Sequence, residues 1–501
     1  MSRFIRSCCF VFLMISWLNL ELSAQEKNHG HTYNIVCIVR FAGESENVIT
    51  RSYSEYNSIF NDSINEQSAS VYNYFKRSSY GALRVISPIA NPINDLRVVS
   101  YQDSHARGYF KPADASNTIG YSADIIANLR EANLVNDVCK YIESVLPAET
   151  IMDGDKNNTV DNLCLILSGS QERNSVILYP HQSFQMYKES YIHGKRVANY
   201  NIQLEETLNT GTICHEFMHT LGAPDLYLAN KNLPKAIGTW DLMSTNNSVP
   251  QGMSAYTQYR YGNWLPEPQI LESEGTYQLN PLSGDTREDV WYKIHEPGRD
   301  EYFVVEYRQK RAPFEIGLPS SGLLVYRINE KFTGNLNYDG VSKLYGQYLF
   351  RQGGSPSQSG EILFAGMSAE TGRTNFKAGS NPYPFYSNGD PAGFQITEIG
   401  ECADRMKFHF KPQEVTDITK NVAEDEFAFR IEDSRILYLT DPDGLSQLTL
   451  YDLSGKIILS VNKNIPSALS LGNLAPGIYF LTMGSARTNA FFSTKIYLFT
   501  N

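Results

Sequence analysis

The chain has 501 residues, 42% of them hydrophobic and 19% charged, which is the composition of a globular protein. Its length excludes a single compact core and predicts roughly two to four domains. With 43 Lys and Arg against 54 Asp and Glu, the formal charge of −11 disfavours a nucleic-acid or anionic-membrane partner.

Residues 1–24 read as an export signal. Arg3 and Arg6 form a basic start, Cys8 to Leu20 form an apolar core without charges, and "LSA" ends at Ala24, a small residue suited to cleavage. The alternative is a membrane anchor, but the run is shorter than the ~20 residues a spanning helix needs. No later stretch is apolar enough to cross a bilayer. The expected location is therefore outside the cell or on its surface. Of seven cysteines, Cys8 and Cys9 leave with the signal. Cys37, Cys139, Cys164, Cys214 and Cys402 are scattered and lack a CxxC pair, which implies neither a disulfide framework nor a cysteine zinc site.

"YNIVCIVRF", residues 33–41, is an almost continuous apolar run and predicts a buried strand. In residues 70–86, Val71, Tyr74 and Phe75 share a helical face behind Ser70 as N-cap, and "ALRVI" returns to strand after Gly81. A helix is expected over 122–145 and a central strand at "NLCLILSG", residues 162–169.

Just before that strand, "MDGDKNNTVD" places Asp153, Asp155, Asn157 and Asp161 at positions 1, 3, 5 and 9, with the Thr159 carbonyl at 7. Oxygen atoms in that order can wrap a hard cation, and calcium is the expected ion. Asn158 replaces the turn glycine of an EF-hand loop, and Cys164 stands where its bidentate Glu would be. The competing reading is a solvated Asp/Asn turn.

"HEFMHTLGAPDLY", residues 215–227, follows on a predicted helix. Ile213, Phe217 and Leu221 form its core row, with Cys214 and Met218 beside it as packing. His215 and His219 lie one turn apart on the other side, so both rings can reach one ion. Glu216 is offset, suited to hold a water as general base. Gly222 ends the helix in a left-handed turn, and Asp225 returns as the third ligand of a zinc site, leaving a fourth position for water. A tyrosine is a natural oxyanion partner, with Tyr227 and Tyr259 as candidates.

Past Trp264, "TYQLN", "VWYKIH", "EYFVVEYR" and "GLLVYRI" are β-type runs between Gly, Pro and Asp. Residues 413–426 read as a polar linker. Residues 427–501 carry "QLTLYDL", "KIILSV" and "GIYFLTM" between turn signals, which predicts a small β-sandwich.

"HEFMHTLGAPD" resembles the HExxHxxGxxD signature of the immune-inhibitor-A-like family of secreted zinc metallopeptidases, itself similar to the metzincins. "GTWDLMS", at residues 238–244, resembles that family's Trp-x-Leu-Met-Ser segment, which implies Met243 as a structural floor under the zinc. "SVYNYFKRSSYG", "EYFVVEYRQ", "GLPSSGLLVYRIN" and "YSNGDPAGFQITEI" extend the likeness over about Tyr33 to Pro412, and "MDGDKNNTVD" resembles the family's DxDxDGxxD segment. The resemblance implies an α+β chain with a zincin-type catalytic domain at 25–265, built of a mixed sheet and an active-site helix. A β-rich subdomain at 266–412 completes the peptidase. The implied activity is zinc-dependent hydrolysis of peptide bonds in extracellular proteins. The competing readings are a surface binding protein with a vestigial metal site and a zinc hydrolase of a non-peptide amide. "YDLSGK" and "LAPGIY" in the last module resemble the type IX secretion sorting domain of Bacteroidetes, which implies the secretion machinery as a partner. An immunoglobulin-like accessory module fits the same strands.

Overall fold

The computed structural model describes residues 28–413 and 429–498, apart from 95, 173, 229–234, 297–298, 336–344, 433–435, 454, 476 and 488–490. The export signal expected at 1–24 lies outside them, as does the linker expected at 413–426 beyond Gln413. Contacts divide the chain into two units, Met1–Gln413 and Glu414–Asn501.

In the first unit, β1 (Gly30–Arg40) is followed by α1 (Tyr53–Asn61), α2 (Val71–Ser78) and β2 (Leu83–Ile86). The order continues with α3 (Asp124–Val145), β3 (Asn162–Leu167), β4 (His181–Phe184), β5 (Asn199–Leu204) and α4 (Thr210–Thr220). Local sequence explains several boundaries. Ser52 and Glu55 form a capping box on α1, and the Ser70 hydroxyl caps α2 by accepting from Asn73 N.

The strands order as β2-β1-β3-β5-β4. All neighbours run parallel except β4, which lies antiparallel to β5 at the outer edge. Alternation along β1 and β3 divides the interior. Val36, Ile38, Cys164 and Ile166 face a core shared with α2 and α4. Ile35, Cys37, Leu163 and Leu165 face the core under α3. Helices cover both faces, so these strands read as unbroken apolar runs and not as alternating ones.

The β-rich part continues this unit. Strands β6 (Gln269–Ile270), β7 (Trp291–Ile294), β8 (Glu301–Arg308), β9 (Gly322–Asn329) and β10 (Gln347–Leu349) form one sheet in that order. A three-stranded sheet of Gly275–Leu279, Met406–Lys411 and Gln395–Thr397 stands beside it. The core around α4 runs without a break into Val304, Leu324, Phe394 and Phe408, so no second core begins at residue 266. Helices and sheets thus share one α+β unit.

The second unit holds two antiparallel sheets. Phe429–Glu432, Ile436–Leu439 and Ala468–Ser470 form one, and Ile457–Val461, Leu445–Tyr451, Gly477–Ser485 and Phe491–Leu498 form the other. Leu437, Leu448, Leu450, Leu481 and Met483 supply its core. Among the described residues, no helix is long and apolar enough to cross a membrane, and Cys37, Cys139, Cys164, Cys214 and Cys402 are all free.

Candidate metal centre

Helix α4 starts where the Asn209 side chain accepts from Thr212 N. Gly211 admits a close approach, since a Cβ there would meet the Asn247 carbonyl oxygen at 1.7 Å. Ile213, Cys214, Phe217 and Met218 are fully buried on the core side, so Cys214 packs and does not face the histidines' side. At its far end, Thr220 Oγ1 donates to Asn162 Oδ1, tying the helix to β3.

The helix stops in a Schellman turn. Ala223 N donates to Met218 O at 3.0 Å and Gly222 N to His219 O at 2.9 Å, with Gly222 at φ +101°. That turn aims the Ala223 carbonyl at His219, whose Nδ1 donates to it at 2.7 Å. His215 Nδ1 donates in the same way to the Leu242 carbonyl at 3.0 Å. Both rings have therefore placed their N–H on a backbone oxygen, and in each neutral ring Nε2 is left as a lone pair.

Those lone pairs converge. His215 Nε2 and His219 Nε2 lie 3.2 Å apart, and Asp225 Oδ1 stands 3.2 Å from each. Asp225 Oδ1 is buried without a hydrogen-bond donor. Three acceptor atoms in a closed triangle repel one another unless a proton or a metal cation sits among them. Tetrahedral ligands at ~2.0–2.1 Å from zinc stand about 3.3 Å apart, so the triangle has the size of a zinc face. Glu216 stands further off, with its oxygen and the two ring nitrogens all within 4.8 Å of one another.

Electrostatics follow from the same arrangement. Burial alone drives the His215 pKa down, but the Asp225 and Glu216 carboxylates and the Leu242 carbonyl outweigh it and the net shift is upward. Burial works against the Asp225 carboxylate too, yet the two rings hold its pKa well below the usual range. Burial raises the Glu216 pKa, opposed by His215, His219 and His181. The pocket attracts positive charge.

Residues distant in sequence set the triangle. Leu226 N donates to Met243 O at 2.8 Å and Asn335 N to Asp225 O at 2.9 Å, which fixes the return strand carrying the carboxylate. Met243 is fully buried. Its N–H donates to Asp241 Oδ1, and Asp241 Oδ2 accepts from Ser254 N at 2.7 Å, which holds the turn that presents Leu242. Arg308 on β8 donates to Trp240 O at 2.9 Å and pairs with Glu315 at 2.7 Å, both side chains buried. The β-rich part thus braces the loop behind His215.

Sequence reasoning missed the second row of groups. His181 on β4 donates through Nδ1 to Tyr179 O and lies 3.2 Å from Glu131 on α3. Tyr200 OH donates to the same carboxylate. Of the two tyrosine candidates, Tyr227 lies near-parallel to His215 with ring centres 6.4 Å apart, whereas Tyr259 packs on Trp291 at 5.0 Å. A histidine and a glutamate 50 residues apart leave no local pattern to read.

The acidic loop brings Asp153, Asp155 and Asp161 together, with one carboxylate oxygen of each within 4.8 Å of the others. Asn158 takes φ +67°, the conformation a glycine would supply in an EF-hand loop. Most of its oxygens face N–H donors. Asp153 Oδ1 accepts from Asn157 N at 3.0 Å, and Oδ2 accepts from Asn158 N at 3.1 Å and Lys195 Nζ at 2.7 Å. Asp161 Oδ2 accepts from Tyr33 N and Gly154 N, both at 2.9 Å. Asn157 Oδ1 accepts from the N–H and hydroxyl of Thr159. Cys164 lies inside β3, fully buried in the apolar core.

No family model matches the chain, and no curated protein matches it either.

Proposed function

We propose that the chain is a secreted, zinc-dependent endopeptidase of the zincin type. The observation that carries this reading is the closed triangle of His215 Nε2, His219 Nε2 and Asp225 Oδ1, three acceptors when both rings are neutral. These three would hold the zinc, which would supply Lewis-acid chemistry toward a water and the scissile carbonyl. Glu216 takes a proton from the attacking water on its carboxylate and passes it to the leaving amine. Its burial, which raises the carboxyl's pKa, suits a group that must hold that proton between the two transfers. The Tyr227 phenol, 40% exposed beside His215, donates a hydrogen bond to the developing oxyanion.

Substrate placement follows from the sheet. Among the described residues β4 is its outermost strand and packs against α4, so the edge that none of them pairs with offers main-chain hydrogen bonds to an extended peptide beside the site. The export signal in residues 1–24 and the sorting-like segments of the last module support delivery to the cell surface or beyond.

The test is digestion of casein and mucin glycoproteins by the purified protein, with and without a chelator, beside Glu216→Ala. Zinc content is read by mass spectrometry in parallel. Cleavage that needs both the metal and Glu216 is expected. Cleavage that survives the chelator overturns the zinc mechanism. A protein without zinc is a binding protein, and zinc without proteolysis points to a non-peptide amide.

A further inference from the structure

We propose that the Lys195 ammonium supplies the positive charge of the acidic loop at residues 153–161, so that this loop folds without the calcium ion its spacing implies. In a calcium loop the ligand oxygens converge on the ion with no hydrogens between them. Here the oxygens of Asp153, Asp155 and Asn157 meet hydrogens of the chain itself. Lys195 Nζ lies 2.7 Å from Asp153 Oδ2, and Asp153 is buried, its side chain only 2% exposed. The backbone N–H groups of Asn157 and Asn158 take two further approaches to that carboxylate. Asn157 Nδ2 donates to Asp155 Oδ2 at 2.8 Å, and its own carbonyl oxygen is turned to Thr159.

The lysine is anchored by backbone pairing. It sits on Lys195–Val197, which pairs in parallel with Thr159–Val160 at the end of the loop and antiparallel with Tyr191–Ile192. Its stem therefore starts beside the carboxylates, and the ordering that an ion would provide is supplied by strand pairing. A divalent cation at the same place would have to displace an ammonium from Asp153, since two positive charges a few ångströms apart repel strongly in a half-buried site. The position that gives an EF-hand its bidentate carboxylate is no help, because Cys164 faces the apolar core. Asp153 is held below the usual carboxylate range, its burial outweighed by Lys195 and the loop N–H groups.

The test uses the full chain, loaded with zinc and exchanged into calcium-free buffer. Equilibrium dialysis against radioactive calcium and thermal unfolding with and without added calcium are measured for wild type, Lys195→Met and Lys195→Arg. Wild type is expected to take up no stoichiometric calcium and to keep its Tm when calcium is added. Lys195→Met is expected to lose roughly 2–4 °C and to recover it with calcium, while Lys195→Arg behaves as wild type. If Lys195→Met fails to fold without calcium and folds with it, the proposal holds equally. A wild-type protein that binds one calcium with a rise in Tm overturns it. So does a Lys195→Met protein with unchanged Tm and no response to calcium.

Discussion

The triad of His215, His219 and Asp225 and the acidic loop at 153–161 both gather groups that suit a cation, yet their hydrogens point in opposite directions. In the triad, each ring spends its N–H on a carbonyl outside the cluster, so three lone pairs face inward. In the loop, N–H groups and the Lys195 ammonium face inward, and the Asp153 carboxylate is satisfied by the chain. The triad holds one carboxylate and the loop three, so negative charge alone does not distinguish a metal site. The placement of protons does, because an unanswered acceptor in a buried site costs free energy that only a cation or a donor can offset.

The largest expected effect separates chemistry from binding within the triad. Glu216→Gln should lower peptidase turnover by ~10²–10⁴-fold while zinc content stays at wild-type level. The equivalent change in the loop, Asp155→Asn, should leave turnover unchanged. A Glu216→Gln protein that loses its zinc would assign Glu216 to the metal and break the division of roles.

Next comes metal affinity. Partners outside the ligand set are worth about 10–100-fold, so Asp225→Asn should weaken zinc by ~100-fold or more, read by competition with a chromogenic chelator. A chelator should lower the Tm of wild type and leave that of Asp225→Asn unmoved.

A smaller effect concerns pH, and its sign is opposite in the apo and loaded proteins. His215 in the empty triad has a raised pKa. Its native form binds more protons than the unfolded chain above ~6.5. That stability is complete below the ordinary value and is lost as pH rises through the raised one. Zinc requires the neutral rings, so the loaded protein gains stability as pH rises through the unfolded rings' ordinary value of ~6.5. Urea unfolding of both forms between weakly acid and weakly alkaline pH measures the two slopes, and parallel slopes would mean the rings are not ligands. The smallest expected effect is Asp155→Asn on stability, within ~0.5 kcal/mol, because Asp155 is half-exposed and Asn157, which donates to it, is two residues away.

Much of the scaffold was legible. Residues 33–41 and 162–169 read as buried strands and are β1 and β3, the middle of the sheet. Ser70 caps α2 and Gly222 takes the left-handed turn, as their positions predict. These features are local: a strand covered on both faces must be apolar throughout, and a helix end needs a residue that tolerates positive φ. β4 carries no such mark. "HQSF" is short and partly exposed, so its place at the edge beside α4 came only from pairing with β5.

By itself the sequence determined which side chains could act: two imidazoles a helical turn apart, a glutamate between them and an aspartate after the bend. It also determined the oxygen spacing of the loop. Tertiary structure alone decided where the hydrogens go. His215 is oriented by a carbonyl 27 residues on, in a turn that Arg308 braces from another sheet, and Asp153 meets an ammonium 42 residues away. Residue spacing records what a helix or loop can present. The direction of a lone pair depends on the partner that takes the other end of the group, and that partner is supplied by the fold.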